Sequence, residues 1–172
     1  MIIRATSKLL NISGIKPVKF SVPTTDVFPG DWYAKTVKTG HLGKIVILFF
    51  HNNLKISIIC PTKSLNIAIK QFPNRLKNYL IRHDFEFLMD KLDLNSEIQI
   101  YTTDSKSTLA HMNQISFNIE WHLSNAVTMD NFNFEKLEDI HTDFLFSTNN
   151  KTKKYETTLD ILKGIKESEI IL

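Results

Sequence analysis

Residues 44–60 read Lys-Ile-Val-Ile-Leu-Phe-Phe-His-Asn-Asn-Leu-Lys-Ile-Ser-Ile-Ile-Cys. The first eight residues are apolar on both faces, which predicts a central strand that is buried on both sides of a sheet. Asn52 and Asn53 follow this strand, and because asparagine tolerates a positive φ, they predict a hairpin turn. Residues 54–60 are then the returning strand. The stretch therefore predicts an antiparallel hairpin in the middle of a sheet.

The flanking segments add further strands and helices to this hairpin. Residues 32–38 alternate and predict a third strand, which extends the hairpin to an antiparallel meander. Strands are also predicted at 1–5 and 97–102, and helices over about 61–83, 84–92, 106–124 and from 157 onward. We therefore predict a single α+β domain over residues 1–172, with an antiparallel sheet of about four to five strands and helices packed on one face.

Proline marks the irregular parts of the chain. Residues 16–31 contain Pro17, Pro23 and Pro29 without any periodicity, which predicts a long ordered loop. Pro73 lies inside the helical pattern, so we expect a kink or a division of the helix there. Residues 149–154 are polar and predict a surface loop.

The charge is unevenly divided along the chain. The net charge of the 172 residues is +3. Residues 1–83 carry 13 Lys and Arg against Asp26 and Asp31, which gives +11, and residues 84–172 carry 8 against 16 acids, which gives −8. Such an asymmetry indicates a polyanionic partner or an electrostatic interface.

Composition excludes several classes of protein. Apolar residues make up 42% and charged residues 23%, which is ordinary globular usage rather than disorder. The single cysteine, Cys60, ends an apolar run, which indicates an inert thiol in a reducing compartment. The chain has no signal-peptide pattern and no apolar run long enough for a membrane helix. We expect a soluble cytoplasmic protein with no membrane partner.

No pattern of catalytic or metal-ligating residues is present. None of the six histidines has the spacing of a metal site, and one cysteine excludes the common structural zinc patterns. Neither a Gly-x-Ser-x-Gly nucleophile turn nor a glycine-rich phosphate loop occurs. We therefore predict no catalytic residue, no metal and no cofactor.

The strongest candidate site is a basic ridge. Lys63, Lys70 and Lys77 recur every seven residues, which places them on one arc of a helix. The predicted ridge consists of these lysines, of Arg75 and Arg82 further round the same helix, and of Lys35 and Lys38 from the sheet. Such clusters hold phosphates, so the ridge predicts binding of nucleic acid or of an acidic protein surface. Trp32 and Tyr33 would stack on bases if they are exposed.

Three other interpretations of the basic residues stay open. The lysines can form an ordinary solvated helix face. The basic half can pack against the acidic half, with partners among Asp90, Asp93, Glu135, Glu138, Asp139 and Asp143. Alternatively, two copies can face each other in a symmetric homodimer.

Residues 102–108 suit a phosphate at a strand-to-helix turn, but the carboxylate of Asp104 argues against an anion there. Helix capping by Asp104 or Ser105 is the favoured interpretation.

The order of several short motifs resembles a known family. The chain opens with Met-Ile-Ile-Arg-Ala-Thr-Ser-Lys-Leu-Leu, and Trp32-Tyr33-Ala34, Phe50-His51-Asn52-Asn53 and His111-Met112-Asn113 follow in order. This order resembles the DUF6933 family of small uncharacterised bacterial proteins over residues 1–125. Residues 126–172 are then a C-terminal extension packed on that core. The resemblance implies a single α+β domain and no assigned activity.

Together these observations predict a non-enzymatic binding or regulatory protein that acts through its basic surface. The resemblance to bacterial families without assigned activity suggests a mobile-element or phage-defence locus. The alternative is a metal-independent ribonuclease or toxin-like enzyme, in which His51 or His83 would serve as acid or base.

Overall fold

The computed structural model describes residues 1–19, 30–92, 94, 96–149 and 154–170. The elements in this part of the chain are β1 (Ile2–Ala5), α1 (Ser7–Ser13), β2 (Trp32–Lys38), β3 (Ile45–His51), β4 (Ser57–Cys60), α2 (Leu65–Arg82), α3 (Leu88–Lys91), β5 (Gln99–Thr102), α4 (Lys106–Ser124), α5 (Phe134–Thr142), β6 (Phe146–Asn149), β7 (Lys154–Glu156) and α6 (Thr158–Ile170). The predicted α+β class is confirmed. Pro23, Asp26, Pro29, Asp93 and residues 150–153 of the predicted surface loop lie outside the described residues.

The main sheet has the strand order β4-β3-β2-β1-β5. Strands β2, β3 and β4 form the predicted antiparallel meander, in which Ala34 pairs with Phe49 and Phe49 pairs with Ile58. The predicted turn at Asn52 and Asn53 joins β3 to β4. A smaller antiparallel pair, β6 and β7, forms a second sheet.

The prediction of a purely antiparallel sheet is wrong, because β1 runs parallel to both of its neighbours. Ile3 pairs with Trp32 of β2 on one side and with Ile100 of β5 on the other. Parallel strands need a crossover of about a dozen residues or more. Residues 6–31 provide that length between β1 and β2, so the first strand can enter the sheet in the same direction as the second.

The prediction of helices on one face is also wrong, because both faces of the sheet are covered. Ile47 and Phe49 of β3 belong to one hydrophobic core with residues of α1, α2, α3 and α6. Leu48 and Phe50 belong to a second core with residues of α4, α5 and β6. Because successive side chains of a strand point to opposite faces, a central strand that is apolar at every position requires cover on both sides.

Helices α2 and α4 each begin directly after a serine N-cap, and α2 begins at Leu65 rather than at the predicted Pro61-Thr62. Ser64 caps α2 through the backbone N–H of Ile67, and Ser105 caps α4 through that of Thr108. Helix α2 continues through Pro73 without dividing. In the described part of the chain, every helix is too short or too polar to meet the criteria for a membrane span.

Candidate functional site

Helix α2 has a buried face and a basic outer face. Its buried residues, which include Phe72, Leu76 and Leu80, pack in the first core. Lys70 and Lys77 are exposed on the outer face, seven residues apart, and they are separated by about 10.5 Å of helical rise. Lys63 is exposed just before the N-cap. We call Lys63, Lys70 and Lys77 the lysine face.

The lysine face contains no carboxylate. Residues 63–83 carry five Lys and Arg residues and no Asp or Glu. The neighbouring outer positions are amides or half-exposed isoleucines: Asn66, Ile67, Gln71, Asn74, Asn78 and Ile81. Among the described residues, no ion pair involves any of the three lysines. Their positive charge therefore faces solvent.

The two arginines of α2 point to a different place. Arg75 Nη2 lies 3.0 Å from Glu138 Oε1, and Arg82 Nη2 lies 3.2 Å from Glu138 Oε2 and 3.0 Å from Asp139 Oδ1. His83 Nε2 is also 3.0 Å from Asp139 Oδ1. The structure thus places Arg75 and Arg82 against the acids of α5, which matches the internal pairing that the sequence left open.

Glu138 is the centre of these contacts. Its side chain is 1% exposed, and its Oε1 also accepts the backbone N–H of Ile59 at 2.8 Å. Ile59 lies on β4, an edge strand of the main sheet. The carboxylate of Glu138 therefore accepts a hydrogen bond from a backbone N–H that has no neighbouring strand to donate to. Burial lowers the pKa of Arg82, but the hydrogen bonds and charges of Asp139 and Glu138 outweigh it and raise that pKa overall.

The lysines predicted from the sheet lie elsewhere. Lys35 lies on the same face of β2 as Tyr33 and Val37, whose side chains belong to the core under α4. Its Nζ donates to Asn113 Oδ1 at 2.6 Å. Burial, with a contribution from the charge of Lys8, lowers the pKa of Lys35. Lys38 is exposed at the end of β2. The seven predicted residues therefore do not form one surface.

The aromatic residues proposed for base stacking are in the core. Trp32 contacts Phe72 edge to face in the first core, and Tyr33 lies in the second. The Tyr33 hydroxyl donates to Asp104 Oδ1 at 2.7 Å. Neither ring can stack on a base while the fold is intact.

The histidines proposed for ribonuclease chemistry have structural contacts. His51 is fully buried, and its Nδ1 accepts the backbone N–H groups of Asn53 and Leu54, which holds the β3–β4 turn. Burial lowers the pKa of His51 to about 3, and the charge of Lys55 adds to this shift. His83 lies against the ring of Tyr79, 4.6 Å between centroids. His51 thus has no contact with solvent through which a substrate could reach it.

Sequence reasoning missed a buried serine–histidine–asparagine chain. Ser57 Oγ lies 3.1 Å from His141 Nδ1, and His141 Nε2 lies 3.1 Å from Asn118 Oδ1. Ser57 and His141 are almost completely buried, and burial, with a contribution from the charge of His122, lowers the pKa of His141 to about 3. The enclosed imidazole joins β4, α5 and α4, and the Ser57 side chain beside it is closed off from solvent. The only sequence signal is the position of His141 on the inner face of α5.

A second buried network explains Asp104. Arg4 is 2% exposed, with its Nε 2.7 Å from Asp31 Oδ2 and its Nη1 2.9 Å from Asp104 Oδ2. The charge of Asp104 is thus paired with Arg4 of β1, and Ser105 is the residue that caps α4. The sequence had left both residues open as caps.

The remaining candidates for chemistry are the thiol of Cys60 and a cluster of metal-ligating side chains. Cys60 is buried, and burial raises the pKa of its thiol to about 12, which is the behaviour of an inert thiol. Within the described ranges, no group of three His, Cys, Asp or Glu side chains is arranged to hold a metal ion.

The comparison with known proteins gives one match. The family model described as a domain of unknown function (DUF6933) matches residues 2–160 of the chain. The resemblance seen in residues 1–125 is confirmed, and the match continues into the C-terminal third. No curated protein and no solved structure matches the chain.

Proposed function

We propose that this chain, which belongs to the DUF6933 family, is a non-enzymatic binding protein that holds nucleic acid through the lysine face of α2. The observation that carries the proposal is that the basic residues in α2 and just before it separate into two groups. Arg75 and Arg82 are paired with α5, whereas Lys63, Lys70 and Lys77 are exposed beside amide side chains.

Nucleic acid suits this surface better than an acidic protein does. A phosphate backbone carries negative charge at regular intervals along a line, and a row of exposed lysines can displace its counterions without any detailed match of shape. Side-chain amides between the lysines add donors for phosphate and sugar oxygens. The surface contains no exposed aromatic ring, so we expect binding with little sequence preference.

The direct test is charge reversal of the lysine face. We expect the wild-type protein to shift both duplex DNA and single-stranded RNA at low salt. Lys63→Glu, Lys70→Glu and Lys77→Glu in one chain should weaken this binding by at least about 100-fold, because three phosphate contacts become repulsive. The matched control carries the same charge change at exposed lysines outside this face, as Lys44→Glu, Lys136→Glu and Lys163→Glu.

Three results would contradict the proposal. The first is that the wild-type protein binds no nucleic acid at low salt. The second is that the control loses as much affinity as the lysine-face variant. The third is that the RNA is cleaved in the presence of a chelator. Binding only to an acidic protein would likewise assign the lysine face to a different partner.

A further inference from the structure

Helix α4 exposes two large aromatic side chains on the face opposite its core contacts. Phe117 is 75% exposed and Trp121 is 57% exposed, and they lie one turn apart. The buried residues Met112, Ile115 and Ile119 occupy the other face. Large exposed apolar side chains that share one helix face are typical of a surface that contacts another protein.

The outer face of α4 continues as a regular row. Lys106, Ala110, Asn113, Phe117 and Glu120 are all exposed, and they follow one another at alternating intervals of four and three residues. This spacing keeps them on one stripe of the helix and is the spacing of a helix–helix seam. The side chains are a cation at the N-terminal end, a small residue, and an aromatic and an anion toward the C-terminal end.

We propose that this stripe pairs with the same stripe of a second copy of the chain, with the two α4 helices antiparallel. If the two-fold axis passes at Asn113, Lys106 of one copy faces Glu120 of the other, because both are seven residues from the axis. The symmetry creates this contact twice. The charges of one stripe are thus complementary to those of its own antiparallel copy.

The same axis fits the apolar side chains. Phe117 lies beside Ala110 of the second copy, so that a large side chain meets a small one. Trp121 lies beside Lys106 of the second copy, within reach of a cation–π contact. Leu42 and Val127 are almost completely exposed, and the turn that carries Leu42 is fixed to the end of α4 by His41 Nε2, 2.9 Å from Leu123 O.

The dimer is independent of the proposed nucleic-acid binding, because α2 and α4 cover opposite faces of the sheet. The area of one helix face is small for a stable interface, so we expect a reversible dimer with a micromolar dissociation constant. Pairing through α4 leaves the lysine faces of both copies open.

Sedimentation velocity from about 1 µM to about 500 µM tests the pairing. The wild-type chain should pass from monomer to dimer over this range. Phe117→Glu with Trp121→Glu should raise the dissociation constant at least about 100-fold, because both aromatic contacts of each copy are lost. Ile67→Glu with Ile81→Glu, which adds the same charges at two half-exposed isoleucines of α2, should leave it unchanged.

A charge exchange tests the antiparallel register. Lys106→Glu and Glu120→Lys should each weaken the dimer, and the two changes together should restore it. Acrylamide quenching gives a readout without substitutions: Trp32 is buried, so loss of quenching with rising protein concentration reports burial of Trp121. A wild-type chain that stays monomeric, a dimer that survives the aromatic substitutions, or a charge exchange without recovery would overturn the proposal.

Discussion

Glu138 is the residue on which the contact between α2 and α5 depends. Its buried carboxylate accepts hydrogen bonds from two guanidinium groups and from the backbone of β4. Removing one member of such a network leaves the others desolvated and unpaired, which costs far more than the network contributes as a whole.

We expect Glu138→Ala to lower the free energy of unfolding by about 3 kcal/mol, because Arg75 and the Ile59 N–H lose their acceptor in the interior. The control is Glu135→Ala, which removes a half-exposed carboxylate 3.6 Å from Arg82 and should cost less than about 1 kcal/mol. Urea unfolding of both variants measures the difference. Equal losses would show that the buried carboxylate has no special role.

His51 and His141 predict the direction in which the free energy of unfolding changes with pH. The folded-state pKa of His51 and of His141 is about 3, below the ordinary value of 6.5. The unfolded chain therefore binds protons that the folded chain does not, and the stabilisation that is present above pH 6.5 is lost as the pH falls toward 3. Each histidine should lower the free energy of unfolding by about 1 kcal/mol between pH 7.5 and pH 5.5.

The variant His141→Gln isolates one of these contributions. Between pH 7.5 and pH 5.5 its free energy of unfolding should fall by about 1 kcal/mol less than that of the wild type. If His141→Gln and the wild type lose the same amount, the imidazole is not neutral in the folded chain.

At the scale of elements, local signals predicted more than long-range ones. The bounds of α4 follow from the cap at Ser105 and from the helical period, both of which are local. The direction of β1 depends on which strands it joins, and nothing within residues 1–5 specifies that. The two-sided cover of β3 was readable in its sequence, since a strand that is apolar at both Leu48 and Phe49 needs a layer on each side.

In the candidate site, too, local spacing was more informative than long-range contacts. The spacing of Lys63, Lys70 and Lys77 predicted three lysines on one arc of a helix. All three are exposed, but Lys63 precedes the N-cap Ser64 and lies outside α2. The destination of Arg75 and Arg82 was not readable, because their partners lie more than fifty residues away on α5. Sequence reasoning offered internal pairing only as one of several possibilities.

The β2–β3 turn and the end of α4 meet at Gly40. Its φ is +78°, and an added Cβ would lie 2.7 Å from Ser124 Cβ and 2.9 Å from Ser124 Cα. Gly40→Ala should therefore destabilise the protein by more than the roughly 1–2 kcal/mol of a left-handed alanine, because the turn must also move away from the helix.

Gly43 is the matched control for this position. It has a similar φ of +69°, but an added Cβ would meet no atom within 4 Å. Gly43→Ala should cost only the backbone penalty of about 1–2 kcal/mol. Thermal unfolding of the two variants separates the backbone penalty from the cost of the clash with Ser124. Equal losses of stability would mean that the turn does not pack against α4.

At the scale of the whole molecule, the positive charge of the first half of the chain is found in two places. Part of the positive charge of the first half is neutralised by the acids of α5 in the folded state. The remainder includes the lysine face, which lies on the opposite side of the sheet from α4. The net charge of +3 hides both facts.

Separate surfaces predict separate losses of function. The variant with Phe117→Glu and Trp121→Glu should bind nucleic acid with an affinity per chain within a few-fold of the wild type. The variant with all three lysines of the lysine face changed to Glu should still dimerise. Fluorescence anisotropy and sedimentation velocity on both variants check this, and a joint loss in either one would mean that the surfaces are coupled.

The salt dependence of nucleic-acid binding tests the central claim most directly. For duplex DNA, three lysine–phosphate contacts predict that the logarithm of the binding constant falls with the logarithm of the salt concentration with a slope of about −2.7. Changing Lys63, Lys70 and Lys77 to Gln one after another should reduce that slope by about 0.9 each time, whereas Lys44→Gln should leave it unchanged. A flat salt dependence, or a slope that the three changes do not alter, would contradict the claim that the lysine face binds nucleic acid.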